Sequence, residues 1–184
     1  MRAPKGREGI RPTSAKVRAA IFNMLPPGLV VGARVLDAYA GTGALGIDAL
    51  LREAAWADFV EQDPDMCRRI QESLTADGFT DRGHVYRATV KKALSFLNEP
   101  YDLIFMDPPY ANQGIGATMA LTVESGLLKD GALLVFEHAS RVPPPEHSGR
   151  PASGSVNKAA GLSLLRTRRY GDTSVTFYVR GQAA

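Results

Sequence analysis

Five short apolar runs rich in Val, Leu and Phe alternate with helix-like stretches between Ala33 and Glu137, a rhythm that builds a parallel sheet with helices on both faces. The expected strands are residues 33–37, 56–61, 84–88, 101–107 and 131–137. The fourth is almost continuously apolar, as a strand buried on both faces must be. Helices are expected at 44–52, 64–76, 90–97 and 117–125; Pro64 opens the second of these and Asp77-Gly78 stops it. After Glu137 the pattern changes. Residues 162–170 and 173–180 are joined only by Gly171-Asp172, too short for a crossover helix, so they pair as an antiparallel hairpin. Ahead of the first strand, Thr13 or Ser14 can cap a helix that runs to about Met24 and is ended by Pro26-Pro27.

With 184 residues, 45% apolar and 22% charged, the chain has material for one domain with a substantial core and no room for a second. The expected division is a basic arm with the first helix (1–25), an α/β core (33–140), a mobile loop (142–158) marked by Pro143-Pro144-Pro145, Gly149, Pro151 and Gly154, and the hairpin (162–180). The longest apolar run, 29–36, is broken by Gly32 and Arg34 and is too short to cross a bilayer. The basic start lacks the apolar core of a signal peptide, so a cytoplasmic protein with no membrane partner is expected, with a monomer as the default state. The single Cys67 excludes an internal disulfide and a multi-cysteine metal site, and reads as a half-buried helix thiol far from any strand tip. His84, His138 and His147 lack metal-ligand spacing, so no metal is expected.

The net charge of +3 is unevenly spread: residues 1–18 carry +5, residues 141–184 carry +5, and the middle carries −7. An acidic body with basic extremities suits a phosphate-backbone partner if both ends fold onto one face, and it equally suits ordinary solvation.

The segment Asp37-Ala-Tyr39-Ala40-Gly41-Thr42-Gly43-Ala44-Leu45-Gly46 holds a complete G-x-G-x-x-G between a strand and a helix, with Glu61 18 residues after Gly43. A dinucleotide site is one reading of it. Asp37 argues against that reading, because a carboxylate at the strand tip repels a pyrophosphate. S-adenosylmethionine (SAM) instead offers an ammonium and a sulfonium, two cations a carboxylate can hold. A strand-tip acid four residues ahead of the turn, and a parallel sheet finished by an antiparallel hairpin, both favour a class I methyltransferase over a nicotinamide-binding domain. Gly41 and Gly43 let the backbone approach the ligand. Glu61, at the second strand tip, is placed to accept both ribose hydroxyls, with Gln62 or Asp63 beside the adenine. Ala88 and Thr89 at the third tip, and Asp107 at the fourth, complete the candidate cofactor set. The plainer alternative is a tight turn whose Asp37 merely caps the helix.

The fourth strand ends in Asp107-Pro108-Pro109-Tyr110, the candidate catalytic residues. An exocyclic amine delocalises its lone pair into the ring and is a poor nucleophile. Asp107 and the Pro108 carbonyl can accept its two N–H bonds, which draws the nitrogen toward tetrahedral geometry and frees the lone pair. Two prolines stiffen the turn and fix the direction of that carbonyl. Tyr110 can stack on a flipped base. Methylation at cytosine C5 needs a thiol, which Cys67 is not placed to supply. Glutamine-nitrogen enzymes open the related motif with Asn, whereas adenine-N6 enzymes accept Asp-Pro-Pro-Tyr and remain the nearest alternative.

From about Ala3 to Val179 the chain resembles the bacterial family that methylates guanine N2 in small-subunit (16S) ribosomal RNA. The resemblance rests on Arg11-Pro-Thr-Ser14 with Val17-Arg18 and Ile21-Phe-Asn23, on Tyr39 to Gly46, on Asp107 to Tyr110, and on Arg169-Tyr-Gly-Asp-Thr173. It implies a Rossmann-like class I fold, seven strands in a mostly parallel sheet, and a 16S RNA partner met in an assembling small-subunit particle. It also implies that Arg7, Arg11, Lys16 and Arg18 touch RNA, that Thr13 and Arg18 border the cofactor, and that Arg168, Arg169 and Tyr170 add RNA contacts, with Arg166 nearby. There are two departures. A dozen or so basic residues usually precede the Ala-Pro-Lys-Gly found here at 3–6, so this chain has a shorter RNA-gripping arm or a start placed too late. Ala15 stands where an acidic residue is usual, which removes one polar contact near the cofactor.

Overall fold

The computed structural model describes residues 14–109, 115–144, 147–148 and 161–181. Its elements are α1 (Ala15–Met24), β1 (Arg34–Asp37), α2 (Ala44–Leu51), β2 (Trp56–Glu61), α3 (Pro64–Ala76), β3 (Gly83–Arg87), α4 (Val90–Ala93), β4 (Tyr101–Met106), α5 (Ile115–Glu124), β5 (Leu128–Ala139), β6 (His147–Ser148), β7 (Leu162–Tyr170) and β8 (Thr173–Arg180). One sheet runs in the order β3-β2-β1-β4-β5-β8-β7-β6. The first five strands are parallel, and β8 and β7 close the sheet antiparallel, as the hairpin spacing required. Seven strands match the expected plan. The eighth, β6, is a two-residue pairing with β7 inside the stretch read as loop. The rest of that loop, 145–146 and 149–160, lies outside the described residues.

Local chemistry explains the helix starts. The Ser14 side chain accepts the Val17 N–H at 3.2 Å and caps α1. Asp63 caps α3 by accepting the Asp65 and Met66 N–H groups, with Pro64 in the first helical position. The helix expected at 90–97 is regular only over Val90–Ala93. Beyond it the Ser95 hydroxyl donates to the Lys92 carbonyl at 2.7 Å, and the Ser95 and Phe96 amides bond three residues back, so the chain tightens into turns.

Two apolar layers sandwich the sheet. On one face, Val17, Ile21 and Phe22 of α1, Leu45 and Ala49 of α2 and Ile70 of α3 pack on Val35, Phe59, Phe105 and Phe177. On the other, Val90, Ala93, Met119 and Val123 pack on Leu36, Val60, Ile104, Met106 and Tyr178. Each such aromatic or branched side chain contributes about 1.5–3 kcal/mol by leaving water. At the amino-terminal ends of the strands the buried Asp58 carboxylate accepts from Arg34 Nη2 at 2.7 Å, Tyr101 Oη at 2.7 Å and Trp56 Nε1 at 2.8 Å. This network ties β1, β2 and β4 together at the end opposite the glycine turn and leaves the carboxyl ends for chemistry. Among the described residues no helix is long and apolar enough to cross a membrane.

Candidate active site

The carboxyl ends of β1, β2, β3 and β4 bring Asp37, Glu61, Ala88 and Asp107 to one edge of the sheet, because parallel strands in register end together. Asp37 is 2% exposed, and its Oδ2 accepts the Gly46 N–H at 3.0 Å. The helix-capping reading and the cofactor-acid reading therefore describe the same side chain: the contact that fixes the carboxylate is the amino-terminal turn of α2. Burial pushes the Asp37 carboxyl up to about 7; the Gly46 bond opposes this, and the nearby Asp107 and Glu61 carboxylates add to it. A desolvated carboxylate beside two others is a site where an added cation is favoured.

Glu61 does more than its sequence position announced. Its Oε2 accepts the Gly41 N–H at 2.8 Å, while Oε1 accepts from the Gln62 and Asp63 amides at 2.7 and 2.8 Å. It thus clamps the glycine turn to the tip of β2. A carboxylate oxygen can accept two bonds, so Oε2 retains capacity for one hydroxyl.

The turn itself runs through Ala40, whose N–H donates to Val60 at 3.0 Å, and Gly43, whose N–H donates to Ala40 at 2.7 Å. Gly43 has φ +76°, and a Cβ there would meet Ile70 at 2.9 Å. A Cβ on Gly46 would enter the Phe59 ring, so this glycine sets how closely α2 lies on β2. Above Gly41 a Cβ would meet nothing within 4 Å, which leaves open space on the side where a ligand would approach. Thr42 and Ala44 are half-buried rim residues and Leu45 is core. Gln62 is exposed, and Thr89 is occupied as the cap of α4, its side chain accepting from Lys92 at 3.3 Å.

Cys67 corrects an expectation. Its thiol lies at a strand tip after all, donating to the Glu61 carbonyl at 3.3 Å. It is buried, and desolvation together with the neighbouring Glu61 charge pushes the thiol up, so it is a poor nucleophile for another reason than distance.

In the turn after β4, Asp107 is half-buried, Pro108 buried and Pro109 exposed. Tyr110, Thr13, Arg7 and Arg11 lie outside the described residues. Arg18 pairs its Nε with Asp48 on α2 at 3.2 Å. Lys16 is exposed on α1. Cross-strand partners share a face, so Arg168 opposite the core residue Val175 stands on the α1 side. Arg169, opposite Ser174, stands on the other side and donates to the Gly171 carbonyl at 2.8 Å. Arg166 covers the Phe177 ring at 4.9 Å. The half-buried Tyr170 packs toward Met24, its hydroxyl 3.9 Å from the sulfur, which joins the hairpin tip to the end of α1.

The family described as Conserved hypothetical protein 95 matches residues 1–179. "Ribosomal RNA small subunit methyltransferase D" of Escherichia coli K12 is 37% identical over 175 residues, covering 94% of this chain and 80% of that one. A solved "conserved hypothetical protein" from Streptococcus pyogenes superposes with TM-score 0.77 at 32% identity, covering 91% of this chain and 98% of the other. An RNA methyltransferase from Salinibacter ruber, solved with S-adenosyl-L-homocysteine, shares the fold with TM-score 0.67 at 14% identity, covering 94% and 95%.

Proposed function

The chain belongs to the family described as Conserved hypothetical protein 95, and from that premise we propose that it is a SAM-dependent methyltransferase acting on the exocyclic N2 amine of a guanine in 16S ribosomal RNA. Its substrate form is an assembling small-subunit particle, and it works in the cytoplasm as a monomer. The observation that carries the reading is the pair of carboxylates at adjacent strand tips: buried Asp37 ends β1 opposite Phe105 of the paired β4, and Asp107 follows two residues after Phe105. The relative named as a small-subunit ribosomal RNA methyltransferase supports the substrate class, and the Asp107-Pro108-Pro109-Tyr110 sequence supports an amine.

When bound, SAM supplies an electrophilic methyl on a sulfonium. Asp37 and the open space over Gly41 suit its cationic part, and Oε2 of Glu61 suits a ribose hydroxyl. Asp107 and the Pro108 carbonyl accept the two N–H bonds of the target amine, directing its lone pair outward. A strong base is unnecessary, because an alkylated ammonium loses its proton readily.

The test is transfer of labelled methyl from SAM to small-subunit particles from cells lacking the endogenous enzyme, followed by nucleoside analysis. N2-methylguanosine is expected. Label on N6-methyladenosine overturns the base assignment, and no transfer overturns the enzyme reading.

A further inference from the structure

Along β7 the alternate positions hold Leu162, Leu164, Arg166, Arg168 and Tyr170, and a regular strand would set them all on one face of the sheet. The strand is not regular. Leu164 pairs with Tyr178 and Arg166 with Phe177, which leaves Leu165 as an extra, unpaired residue, a β-bulge. The bulge reverses the alternation. Leu162 and Leu164 pack on the α4–α5 side with Tyr178. Arg166 and Arg168 stand opposite the core residues Phe177 and Val175 and so face the α1 side, where Tyr170 also packs.

The registers of the sheet locate these arginines relative to the strand-tip carboxylates. One row of cross-strand partners runs through Asp37, Phe105, Val135, Phe177 and Arg166. Two residues on, Asp107 follows Phe105 and Arg168 follows Arg166, both toward the same edge because β7 runs parallel to β4. Three strand spacings separate β4 from β7, about 14 Å. Asp37 shares the face of the arginines, since it is bonded to Gly46 of α2, a helix that packs on the α1 side. Glu137, opposite Val175 in the row between Asp107 and Arg168, is buried, whereas Arg166 and Arg168 are exposed. Arg166 is held over the Phe177 ring at 4.9 Å. Among the described residues Arg168 makes no ion pair. β6 pairs only with Leu162 and Ser163, so among those residues no strand covers the edge of β7 beside the arginines.

We infer that Arg166 and Arg168 form a rail that holds the phosphate backbone of the RNA strand flanking the target base, and that the Leu165 bulge is what turns them onto the face of the active site. The inference rests on the proposed RNA substrate. Two guanidinium groups about 7 Å apart along a strand can each take a phosphate of one extended chain. Contacts of this kind position a nucleic acid without reading its bases, so they act on substrate affinity and leave the methyl-transfer step alone.

The experiment compares Arg168→Ala, Arg168→Lys, Arg169→Ala and Arg69→Ala with the wild type. Filter binding to a 16S RNA transcript between about 50 and about 200 mM salt gives affinity and its salt slope. Methyl transfer to small-subunit particles gives KM and kcat, and calorimetry and thermal melting give SAM affinity and stability. Arg168→Ala should weaken RNA binding about five- to tenfold, flatten the salt slope by about one, and raise KM in proportion, with kcat, SAM affinity and thermal midpoint unchanged. Arg168→Lys keeps the charge and should recover most of the affinity. Arg69→Ala removes an exposed charge from α3 and should bind RNA as the wild type does. Arg169→Ala removes one from the opposite face of β7 and should cost less than Arg168→Ala. Equal losses in those two variants would reduce the rail to net charge and overturn it. So would an unchanged salt slope in Arg168→Ala, or a lowered thermal midpoint that accounts for its loss of binding. A loss on particles that is missing on the naked transcript would put a ribosomal protein on this face, and it too overturns the rail. Filter binding needs no methylation, so a wild type that binds RNA but forms a nucleoside other than N2-methylguanosine fails the proposed function alone.

Discussion

The carboxylate of Asp37 accepts the backbone N–H of Gly46 at 3.0 Å, so the residue that ends the first strand also fixes the first turn of the helix that follows it. The same Gly46 has no room for a side chain against Phe59. Strand tip, glycine turn and helix are one mechanical unit, and a change at either end is felt at the other.

Gly46→Ala tests that unit. The added methyl enters the Phe59 ring, so α2 must move outward or the ring must turn. A destabilisation of about 1–3 kcal/mol is expected, the usual cost of overpacking. Urea unfolding measures it, and combining the change with Phe59→Leu should recover part of the loss. An additive double variant would mean that the ring is not what the methyl meets.

Asp37 also gives the protein a pH signature. Its carboxyl is pushed up to about 7 in the fold from a usual value of 3.8, so the native state holds a proton that the unfolded chain releases. Stability without cofactor is therefore highest below about pH 4 as far as this group is concerned, and is lost as pH rises to about 7. Asp37→Asn stays neutral and should remove this decline from a series of urea midpoints. A cationic ligand prefers the charged carboxylate, so SAM affinity should run the other way and increase about tenfold between about pH 6 and about pH 8. Calorimetry across that interval checks the sign, and an affinity that falls with pH would remove Asp37 from the cation's neighbourhood.

Legibility in the sequence followed local punctuation. The bounds of β2, α3, β7 and β8 were readable to the residue, because Pro64, Asp77-Gly78 and Gly171-Asp172 interrupt the chain where the elements do. β5 begins three residues earlier than its apolar run, at Leu128, where Lys129 reaches across to Asp102 at 2.8 Å and Leu128 pairs with Tyr101 ahead of a register shift. No pattern in Leu128-Lys-Asp-Gly announces a strand. The glycine turn and the Asp-Pro-Pro sequence marked the candidate site from residue types alone. The Glu61 bond to the Gly41 amide and the Asp58 network stayed invisible, because each joins residues whose meeting depends on strand order or helix placement. The basic residues grouped from the charge distribution are divided by the fold: Lys16 and Arg168 stand on the α1 side, Arg169 on the opposite side, and Arg18 is paired with Asp48.

Glu61→Gln separates clamp from ligand contact. The carboxamide can offer one oxygen to Gln62 and Asp63 or to Gly41, but its NH2 group then faces an N–H donor. Losing charge-assisted bonds at about 1.5–3 kcal/mol each, the variant should bind SAM about 10- to 100-fold more weakly and melt at a lower temperature. If SAM affinity drops while the thermal midpoint holds, Glu61 serves the ligand alone and the loop stands without it.

Asp107→Ala isolates chemistry from binding. Asp107 raises the Asp37 carboxyl by like-charge repulsion, so removing it makes the buried carboxylate easier to ionise and does not harm a cation's seat. SAM affinity should therefore be retained, or improve slightly near neutral pH. The target amine, by contrast, loses one of the two acceptors that orient its lone pair, and turnover should fall by about a hundredfold or more. Asp107→Asn sharpens the comparison: it keeps an acceptor oxygen but lacks the charge, so it should retain a measurable fraction of the rate that alanine loses. Normal turnover in Asp107→Ala would remove the carboxylate from the mechanism. Loss of SAM affinity in step with the rate would instead make Asp107 part of the cofactor's cation site, beside Asp37.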